Sequence, residues 1–320
     1  MKAVYYNSHG GPDVLQVGEL PLPPCAEDEV LVQVACTSVN PIDRRLRAGE
    51  LQEYITRTYP VVPGWDVAGR VVAVGDAVSD YQVGDDIVGL AFTWSIQHGT
   101  YAEFAPVKAS SVTLKPDKIS FEQAAGLPLV SLTAWQSLVE FGKLRPGQVV
   151  LIHAGAGGLG SVAIPLAKHL GAKVYTTASE LNRDYVSSLG ADVVIDYREQ
   201  NYASVIRKEE PEGLDFILQS LLDDAVSEES IHLVKAGGAV AYMNNEPPEM
   251  PEIETRSIRA EFLHHRPDGE LLGNLLDLFG SGALPIPRVQ LMELEQALEA
   301  HLLSESSRTT GKVVLHVQDL

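Results

Sequence analysis

The chain has 320 residues, of which 45% are hydrophobic and 21% are charged, and its formal net charge is −19. This length suffices for two domains with hydrophobic cores, and no apolar run approaches the ~20 residues of a membrane-spanning helix, so we expect no membrane partner. The negative charge would repel a phosphate backbone, which argues against a nucleic-acid partner.

The first residues and the cysteine content bear on the cellular location. The N-terminal segment MKAVYYNSHGG lacks the apolar stretch of a secretory signal, so the expected location is the cytoplasm. The only two cysteines, Cys25 and Cys36, are too few for a disulfide scaffold or a four-cysteine zinc site. Two reduced thiols are therefore expected.

The order of predicted elements indicates two kinds of domain. From residue 1 to about 120, short β-rich runs such as EVLVQVAC and VAGRVVAVG are separated by Gly, Pro and Asp turns. From about residue 121, a helical stretch leads into strands that alternate with helices. The predicted strands are VVLIHA, AKVYTTA, DVVIDY, LDFILQS, GAVAYMN and RAEFLHH. Because these strands are apolar throughout, they predict a parallel sheet covered by helices on both faces.

Beyond His265, the sequence predicts two helices, GELLGNLLDLF and ELEQALEAHLL, and a closing strand, GKVVLHV. The closing strand is rich in β-branched residues and follows the last strand of the nucleotide-binding unit, so we expect it to return to the first domain. The segment from Asn244 to Glu254 is rich in proline and acidic residues and is predicted to form a loop.

A glycine cluster follows the first strand of the second half. Gly155, Gly157 and Gly160 fit the pattern G-x-G-x-x-G between VVLIHA and the helix SVAIPLAKHL. In this context one glycine permits a tight turn, one lets the backbone approach a pyrophosphate, and one allows close packing of strand and helix. A glycine-rich turn without a ligand is the alternative. The predicted dinucleotide site comprises Gly155, Ala156, Gly157, Gly158, Leu159 and Gly160.

The end of the next strand bears on which dinucleotide binds. NAD enzymes place an Asp or Glu there for the adenine ribose hydroxyls, whereas AKVYTTA ends near the neutral Thr177. Ser179 and Arg183 follow, and a hydroxyl with a guanidinium suits a 2′-phosphate. These three residues favour NADP (NADPH). Glu180 is the counter-signal that leaves NAD as the alternative, although we expect its side chain to face solvent.

Several motifs occur together in the order of a known family. They are SVNPIDRRLRAG, PGWDVAGRVVAVG, VGDDIVGL, GTYAEFAPV, AAGLPLVSLTAWQSL, HAGAGGLG and the terminal RTTGKVVL. In these segments the sequence resembles the medium-chain dehydrogenase/reductases, and within them the zinc-independent quinone oxidoreductases. The resemblance implies an α/β fold class with a GroES-like β domain over 1–120, a Rossmann doubly wound parallel sheet over 121–265, and a return to the first domain over 266–320.

The resemblance also identifies the positions at which related alcohol dehydrogenases bind zinc. Those relatives carry a His-Glu pair where this chain has Trp65 and Asp66, and a cysteine near Cys36. An indole cannot ligate zinc, and the lobe with four structural cysteines is missing as well. We therefore expect no metal, with Cys36 as a small buried residue and Asp66 as a packed polar residue.

The resemblance implies site residues in both domains and an active site between them. Asn40 is the expected catalytic group, with a turn residue before Pro41 as the alternative. Thr133 is expected against the nicotinamide, with a helix-interior threonine bonded to its own backbone as the alternative. Asn244 and Arg308 complete the predicted cofactor-binding set. For Arg308, a solvated surface residue is the alternative.

Further residues near these positions are expected to be structural. Asp43 is expected to partner the nearby backbone or an arginine, with a proton donor as the alternative. His153 is expected to be a packing or turn residue. The segment from Gln219 to Asp223 stands where many relatives have Asp-x-Val-Gly-Gly, so the loop beside the nicotinamide is expected to differ. The family also implies a homodimer formed through the edge strand RAEFLHH.

The expected chemistry follows from the absence of a metal-ligand set. Oxidation of simple alcohols would lack its electrophile, whereas a quinone or an α,β-unsaturated carbonyl is already electrophilic. Such a substrate accepts hydride at carbon while charge builds on its oxygen, which then needs hydrogen-bond donors. The predicted function is NADPH-dependent reduction of a quinone or enone. The alternatives are a zinc-type alcohol dehydrogenase and a non-catalytic NADPH-binding protein.

Overall fold

The structure, a computed structural model, describes residues 1–306 and 308–320. This part of the chain divides into two compact units. The first unit comprises Met1–Leu132, Arg266–Gly282 and Ile286–Leu320, and the second comprises Thr133–His265 and Ala283–Pro285. The domain limits expected from the sequence, 120 and 265, stay a prediction.

The first unit is built from β-strands, which are numbered in chain order. Its main sheet contains seven strands: β3 (Glu29–Val39), β5 (Asp66–Val74), β6 (Asp86–Leu90), β8 (Phe104–Lys108), β9 (Val112–Leu114), β16 (Val289–Glu293) and β17 (Lys312–His316). Their order is β16-β17-β3-β5-β6-β9, and β8 also pairs with β3. Two small sheets join β1 (Lys2–Tyr5) to β2 (Gln16–Glu19) and β4 (Thr56–Val62) to β7 (Ser95–His98).

Strand β3 leads into the site. In its first half, Val30, Val32 and Val34 are buried and alternate with partly exposed residues, because successive side chains of a strand point to opposite faces. From residue 34 to residue 39 every residue is buried, so this half is covered on both faces. The strand therefore delivers the next residue, Asn40, into the interior of the unit.

The closing strand β17 lies antiparallel to β3, with Val313 opposite Val39. This pairing confirms the predicted return of the closing strand to the first domain. Because the register is fixed, Lys312 at the start of β17 lies beside Asn40, which follows β3 directly. A charged side chain is thus introduced at the buried end of the sheet.

Four helices lie entirely within the described part of the first unit: α1 (Pro41–Ala48), α2 (Phe121–Ala125), α9 (Gly269–Gly280) and α10 (Ala297–Glu305). Helix α1 begins after Asn40, whose backbone N–H donates to Asp43 Oδ2 at 2.8 Å. Pro41 occupies the first helical position, where no intrahelical N–H is needed. The helix ends at Gly49, whose φ of +87° favours glycine.

The second unit is a six-stranded sheet with helices. Its strands are β10 (Val149–Ile152), β11 (Lys173–Ala178), β12 (Val193–Asp196), β13 (Leu214–Gln219), β14 (Val234–Tyr242) and β15 (Arg259–Phe262). Its helices are α4 (Gly158–His169), α5 (Arg183–Ser188), α6 (Tyr202–Glu209), α7 (Asp224–Leu233) and α8 (Pro251–Thr255). All pairings are parallel, in the order β12-β11-β10-β13-β14-β15. This is the strand order of a doubly wound dinucleotide-binding fold, and it confirms the predicted fold class.

Some elements differ from the sequence expectation. The helical stretch over 121–141 is divided into α2, α3 (Pro128–Trp135) and a π-helical turn (Gln136–Phe141), because Pro128 cannot continue α2. Helix α8 begins inside the segment that was expected to be a loop from Asn244 to Glu254. Among the described residues, no helix is both long and apolar enough to span a membrane.

Candidate active site

The Asn40 side chain is held at both ends. Its Nδ2 donates to Asp66 Oδ2 at 2.8 Å, and its Oδ1 accepts from Lys312 Nζ at 2.6 Å. Asn40 is 1% exposed, so these two contacts fix the orientation of the carboxamide. We refer to Asn40, Asp66 and Lys312 as the buried triad.

Asp66 is the charged centre of the buried triad. Besides Asn40, its carboxylate accepts from Ser38 Oγ at 2.5 Å and from the Leu129 backbone N–H at 2.8 Å. Lys312 Nζ lies 3.5 Å from the same carboxylate. Burial lowers the pKa of Lys312, while the charges of Asp66 and Asp43 act in the opposite direction. The carboxylate and the ammonium therefore compensate each other where water does not reach them.

Asp43 is a second, less well compensated carboxyl group. Its Oδ2 accepts from the Asn40 N–H and from Tyr101 OH at 3.4 Å, while its Oδ1 has no partner among the described residues. Burial, followed by the charge of Asp66, raises the pKa of Asp43 to about 7, against the lowering effects of the Asn40 N–H, Lys312 and Tyr101. The expected bond to the backbone is present.

Asp43 should make stability pH-dependent. Because its folded pKa lies above the unfolded value of ~3.9, the folded state binds the proton more tightly, and stability falls as pH rises from about 4 to 7. We expect Asp43→Asn to remove about 2 kcal/mol of this fall between pH 5 and pH 7. Urea unfolding of wild type and Asp43→Asn at pH 5 and pH 7 measures this change in the free energy of unfolding. An unchanged difference would show that Asp43 is ionised throughout this range.

The positions expected to replace a zinc site are buried. Trp65 is 0% exposed, and its ring packs edge-on against Phe92 with centroids 4.9 Å apart. Cys36 is 1% exposed, and burial raises its pKa to about 12, so the thiol stays protonated. In the described ranges, no three His, Cys, Asp or Glu side chains lie together so as to hold a metal ion.

The glycine turn of the second unit has one open position and two packed ones. A Cβ on Gly155 would lie 2.0 Å from Thr176 Oγ1, and one on Gly160 would lie 2.5 Å from the Gly155 Cα. A Cβ on Gly157 would meet only the Ala154 carbonyl oxygen, at 3.3 Å. Gly157 is the N-cap of α4, whose first N–H groups have no partners within the helix. The turn therefore offers free donors and an open approach to an anion.

Thr177 is tied to this turn. Its hydroxyl accepts from the Ala154 N–H at 3.1 Å and lies 3.3 Å from His153 Nδ1, and Thr177 is 4% exposed. Burial lowers the pKa of His153 to about 4, so the ring is neutral and packs edge-on against Tyr202. His153 is thus a packing residue at the turn. The contact of Thr177 with a phosphate stays a prediction, and these contacts give its hydroxyl a structural role.

Arg183 and Glu180 form a pair just beyond β11. Arg183 Nε donates to Glu180 Oε2 at 2.7 Å, and Nη1 donates to the Val194 carbonyl at 3.2 Å. The side chains are 39% and 69% exposed, so this ion pair contributes little and can be exchanged for another anion. Ser179 is 8% exposed and precedes Glu180. The cation expected at the strand exit is therefore present, with a competing carboxylate beside it.

The other predicted site residues have different surroundings. Thr133 is 3% exposed, and no described residue partners its hydroxyl, so this group is available to a ligand. Asn244 Nδ2 donates to the Ser220 carbonyl at 2.5 Å, which links it to the segment that departs from the family pattern. Gln219 is fully buried and donates to Ser227 Oγ at 2.8 Å. This segment is therefore held by side chains rather than by glycine turns.

Two functional residues were outside the predicted set. Lys312 was not assigned a role, and Asp66 was expected only to pack. The signal that points to Lys312 is a lysine directly before the apolar run Val313–Leu315 of the closing strand. Arg308, which was assigned to the cofactor, is exposed in the first unit, with its backbone N–H donating to Ser306 Oγ at 3.3 Å. Its role stays a prediction.

Comparisons with known proteins identify the family. The zinc-binding dehydrogenase model matches residues 189–315, and the alcohol dehydrogenase GroES-like domain model matches residues 26–117. The chain is 33% identical to 2-methylene-furan-3-one reductase of Solanum lycopersicum, over 99% of this chain and 79% of that protein. It is also similar to the quinone oxidoreductase structure from Coxiella burnetii, with 32% identity, 99% of both chains covered and a TM-score of 0.89.

A further solved structure carries a nucleotide. Escherichia coli quinone oxidoreductase complexed with NADPH has 26% identity, 99% and 100% coverage of the two chains and a TM-score of 0.89. Together with the strand order, the glycine turn and the GroES-like first unit, these matches confirm the family expected from the motifs and make the protein an oxidoreductase. The chain belongs to the zinc-independent quinone oxidoreductase group of the medium-chain dehydrogenase/reductases.

Proposed function

We propose that this protein uses NADPH to reduce a quinone or an α,β-unsaturated carbonyl. The buried triad carries this proposal, because it holds a carboxamide donor in a fixed orientation beside Asp66, one of the positions at which zinc-binding relatives place a ligand. The names of the relatives, an enone reductase and two quinone oxidoreductases, one of them complexed with NADPH, support it. The Trp65 indole at the zinc-ligand position agrees with a substrate that is already electrophilic.

The residues fit NADPH, which supplies the hydride when bound. The first-turn N–H groups of α4 would hold the pyrophosphate, and Gly157 leaves room for it. The unpartnered Thr133 hydroxyl would bind the nicotinamide end. Asn40 Nδ2 uses one N–H on Asp66, and its second N–H would donate to the substrate oxygen as negative charge develops.

The proposed function is tested by NADPH consumption with a panel of quinones and enones, with and without prior treatment with a chelator. We expect turnover of at least one class of substrate and equal rates after chelation, because the proposed donors are all side chains. Metal analysis of the same preparation serves as the control. No turnover with any member of the panel would favour a non-catalytic NADPH-binding protein. Bound zinc whose removal abolishes activity would favour the alcohol dehydrogenase alternative.

Cofactor preference is expected to depend on Arg183. A charge-assisted bond to the 2′-phosphate favours NADPH over NADH by about 10- to 100-fold, and Arg183→Ala should remove most of this preference while hardly changing NADH binding. Glu180→Ala should preserve or improve NADPH binding, because it frees Arg183 from its ion pair. Dissociation constants of both cofactors for the three proteins decide this. Weaker NADH binding after Glu180→Ala would instead identify Glu180 as the ribose acceptor of an NAD enzyme.

The proposed assembly is a homodimer. Strand β15 lies at the edge of the six-stranded sheet, where unpaired backbone groups can continue the sheet into a second copy. The family resemblance supports this arrangement. The cytoplasmic location expected from the sequence stays a prediction. Light scattering of the purified protein would test the dimer.

A further inference from the structure

The guanidinium of Arg57, on β4, has an unused edge. Nε and Nη2 are both shielded from solvent, and no described residue accepts a hydrogen bond from either of them. A buried cationic donor without a partner is costly, so such groups usually have an anionic partner. Nε–H and one Nη2–H point along the same edge of the planar guanidinium. That edge matches the two oxygens of a carboxylate.

A third donor lies close to this edge. Tyr6 is fully buried, and its hydroxyl donates to no described residue. Burial raises the pKa of Tyr6, while the charge of Arg57 and a hydrogen bond from its guanidinium to the phenol oxygen lower it, so the phenol is protonated at neutral pH and can donate to a ligand. Its backbone N–H donates to the Val61 carbonyl on β4 at 3.0 Å, which ties Tyr6 to the strand that carries Arg57.

The outer side of this cluster consists of exposed side chains. Tyr59 follows Arg57 by two positions on β4. The Tyr59 ring packs edge-on against Tyr6, with centroids 6.1 Å apart, and its hydroxyl lies 3.2 Å from His9 Nε2. Tyr59 is 41% exposed. A ligand can therefore gain access through a rotamer change of a surface side chain, without backbone movement.

The cluster adjoins the buried triad within the first unit. The charge of Asp43 acts on the Tyr6 hydroxyl, and the same carboxyl accepts the Asn40 backbone N–H at 2.8 Å. The chain then runs from the end of β4 through two residues to Trp65 and Asp66. A small substrate with one polar end at Asn40 could thus place a second polar end near Arg57.

We propose that Arg57 and Tyr6 form a carboxylate-binding subsite, and that the preferred substrates are α,β-unsaturated carbonyl compounds that also carry a carboxylate. This inference rests on the proposed enone reduction and names its substrate class. A bidentate guanidinium with one phenol provides three donors, which suits the two oxygens of a carboxylate. The carboxylate takes no part in the reaction: hydride from NADPH and one proton reduce the C=C bond, and NADP⁺ is released.

The test compares (E)-4-oxopent-2-enoate with its methyl ester, which has the same enone but no charge. We expect wild-type protein to have a higher kcat/KM for the acid than for the ester. Arg57→Gln should lower kcat/KM for the acid by about 10- to 100-fold and change that for the ester less than about threefold. Tyr6→Phe should produce a smaller loss in the same direction. Salt at about 0.15 M screens the net charge of −19, which otherwise repels the anion.

A matched control removes the same charge elsewhere. Arg70→Gln deletes an arginine of the first unit that pairs with Asp86 at 2.7 Å and is 40% exposed, and it should leave the acid-to-ester ratio unchanged. If Arg57→Gln does not fold, Arg57→Lys can replace it. Lysine keeps the positive charge but lacks the two parallel N–H donors, so its ratio of kcat/KM for the acid to that for the ester should be intermediate. An acid-to-ester ratio that is the same in wild type and the Arg57 variant overturns the subsite. The reduction of the ester would then still support enone reduction.

A binding measurement separates this inference from turnover. The saturated acid 4-oxopentanoate cannot be reduced at a C=C bond, and its affinity can be measured by titration calorimetry. We expect it to bind wild type at least tenfold more tightly than Arg57→Gln, and we expect methyl 4-oxopentanoate to show no such difference. Equal affinity of both proteins for the acid overturns the subsite. A clear difference, combined with no turnover of either enone or of any quinone in the panel, would retain the subsite and overturn the proposed function instead.

Discussion

Replacing Gly157 with valine is expected to weaken NADPH binding by at least about 100-fold while leaving the fold intact. Gly157 has an extended backbone, with φ of −74° and ψ of 176°, which valine adopts readily. Its Cβ would meet only the Ala154 carbonyl oxygen, at a tight 3.3 Å that a shift of a few tenths of an ångström relieves, so most of the fold should be kept. The added side chain would stand before the first-turn N–H groups of α4, where the pyrophosphate must approach. Fluorescence titration with NADPH measures the loss.

A glycine two positions earlier is the matched control. A Cβ on Gly155 would lie 2.0 Å from Thr176 Oγ1 and 2.9 Å from Ile164 Cδ1, so Gly155→Val should lower the thermal midpoint itself. Gly157→Val should retain the wild-type midpoint without ligand and lose the stabilisation that NADPH provides. Wild-type NADPH affinity in Gly157→Val would mean that the turn serves only the packing of β10 against α4.

The glycine turn could be predicted from sequence because its chemistry is local. Gly155, Gly157 and Gly160 lie within six residues, and their spacing between a strand and a helix carries the constraint. The order of the six parallel strands follows for a similar reason, since apolar strands alternating with helices allow few topologies. The predicted closing strand also paired as expected, because its β-branched residues match the buried half of β3.

The buried triad could not be predicted in the same way. Asn40, Asp66 and Lys312 come from three distant segments, and the register of β17 on β3 brings them together. Sequence patterns predict a strand but not which residue of a distant strand stands opposite. The same limit applies to Thr177. Its position near the end of β11 can be predicted from the sequence, but the hydrogen bond of its hydroxyl to the glycine turn cannot.

Arg57 and Tyr6 illustrate a related limit. An arginine in a polar β-rich segment ordinarily indicates a solvated surface residue, and a tyrosine near the N-terminus indicates packing. Their significance lies in the missing partners, which only the three-dimensional surroundings reveal. The buried triad and this subsite thus occupy one unit but differ in kind. The triad groups bond to one another and leave one Asn40 N–H for the substrate, whereas Arg57 Nε and Nη2 have no acceptor among the described residues.

Lys312→Met is expected to destabilise the protein by about 3–5 kcal/mol, because it leaves the carboxylate of Asp66 buried without its cation. Activity should fall as well, since Asn40 Oδ1 loses its 2.6 Å donor and the carboxamide can turn away from the substrate oxygen. Urea unfolding and steady-state kinetics with a quinone or enone measure the two effects. If Lys312→Met unfolded at the same urea concentration as wild type, burial of the Asp66 carboxylate would not require the Lys312 cation.

The double variant Asp66→Asn with Lys312→Met separates stability from positioning. It removes both charges, so the desolvation cost disappears, and part of the lost stability should return. The single amide oxygen at residue 66 can accept either from Ser38 Oγ or from the Leu129 N–H, which bond different carboxylate oxygens of Asp66. Activity should not return, because nothing then holds Asn40 Oδ1. We expect kcat to remain at least tenfold below wild type while the unfolding free energy partly recovers. Recovery of both quantities together would show that Lys312 serves only to neutralise Asp66 and that the orientation of Asn40 is set by the rest of the fold.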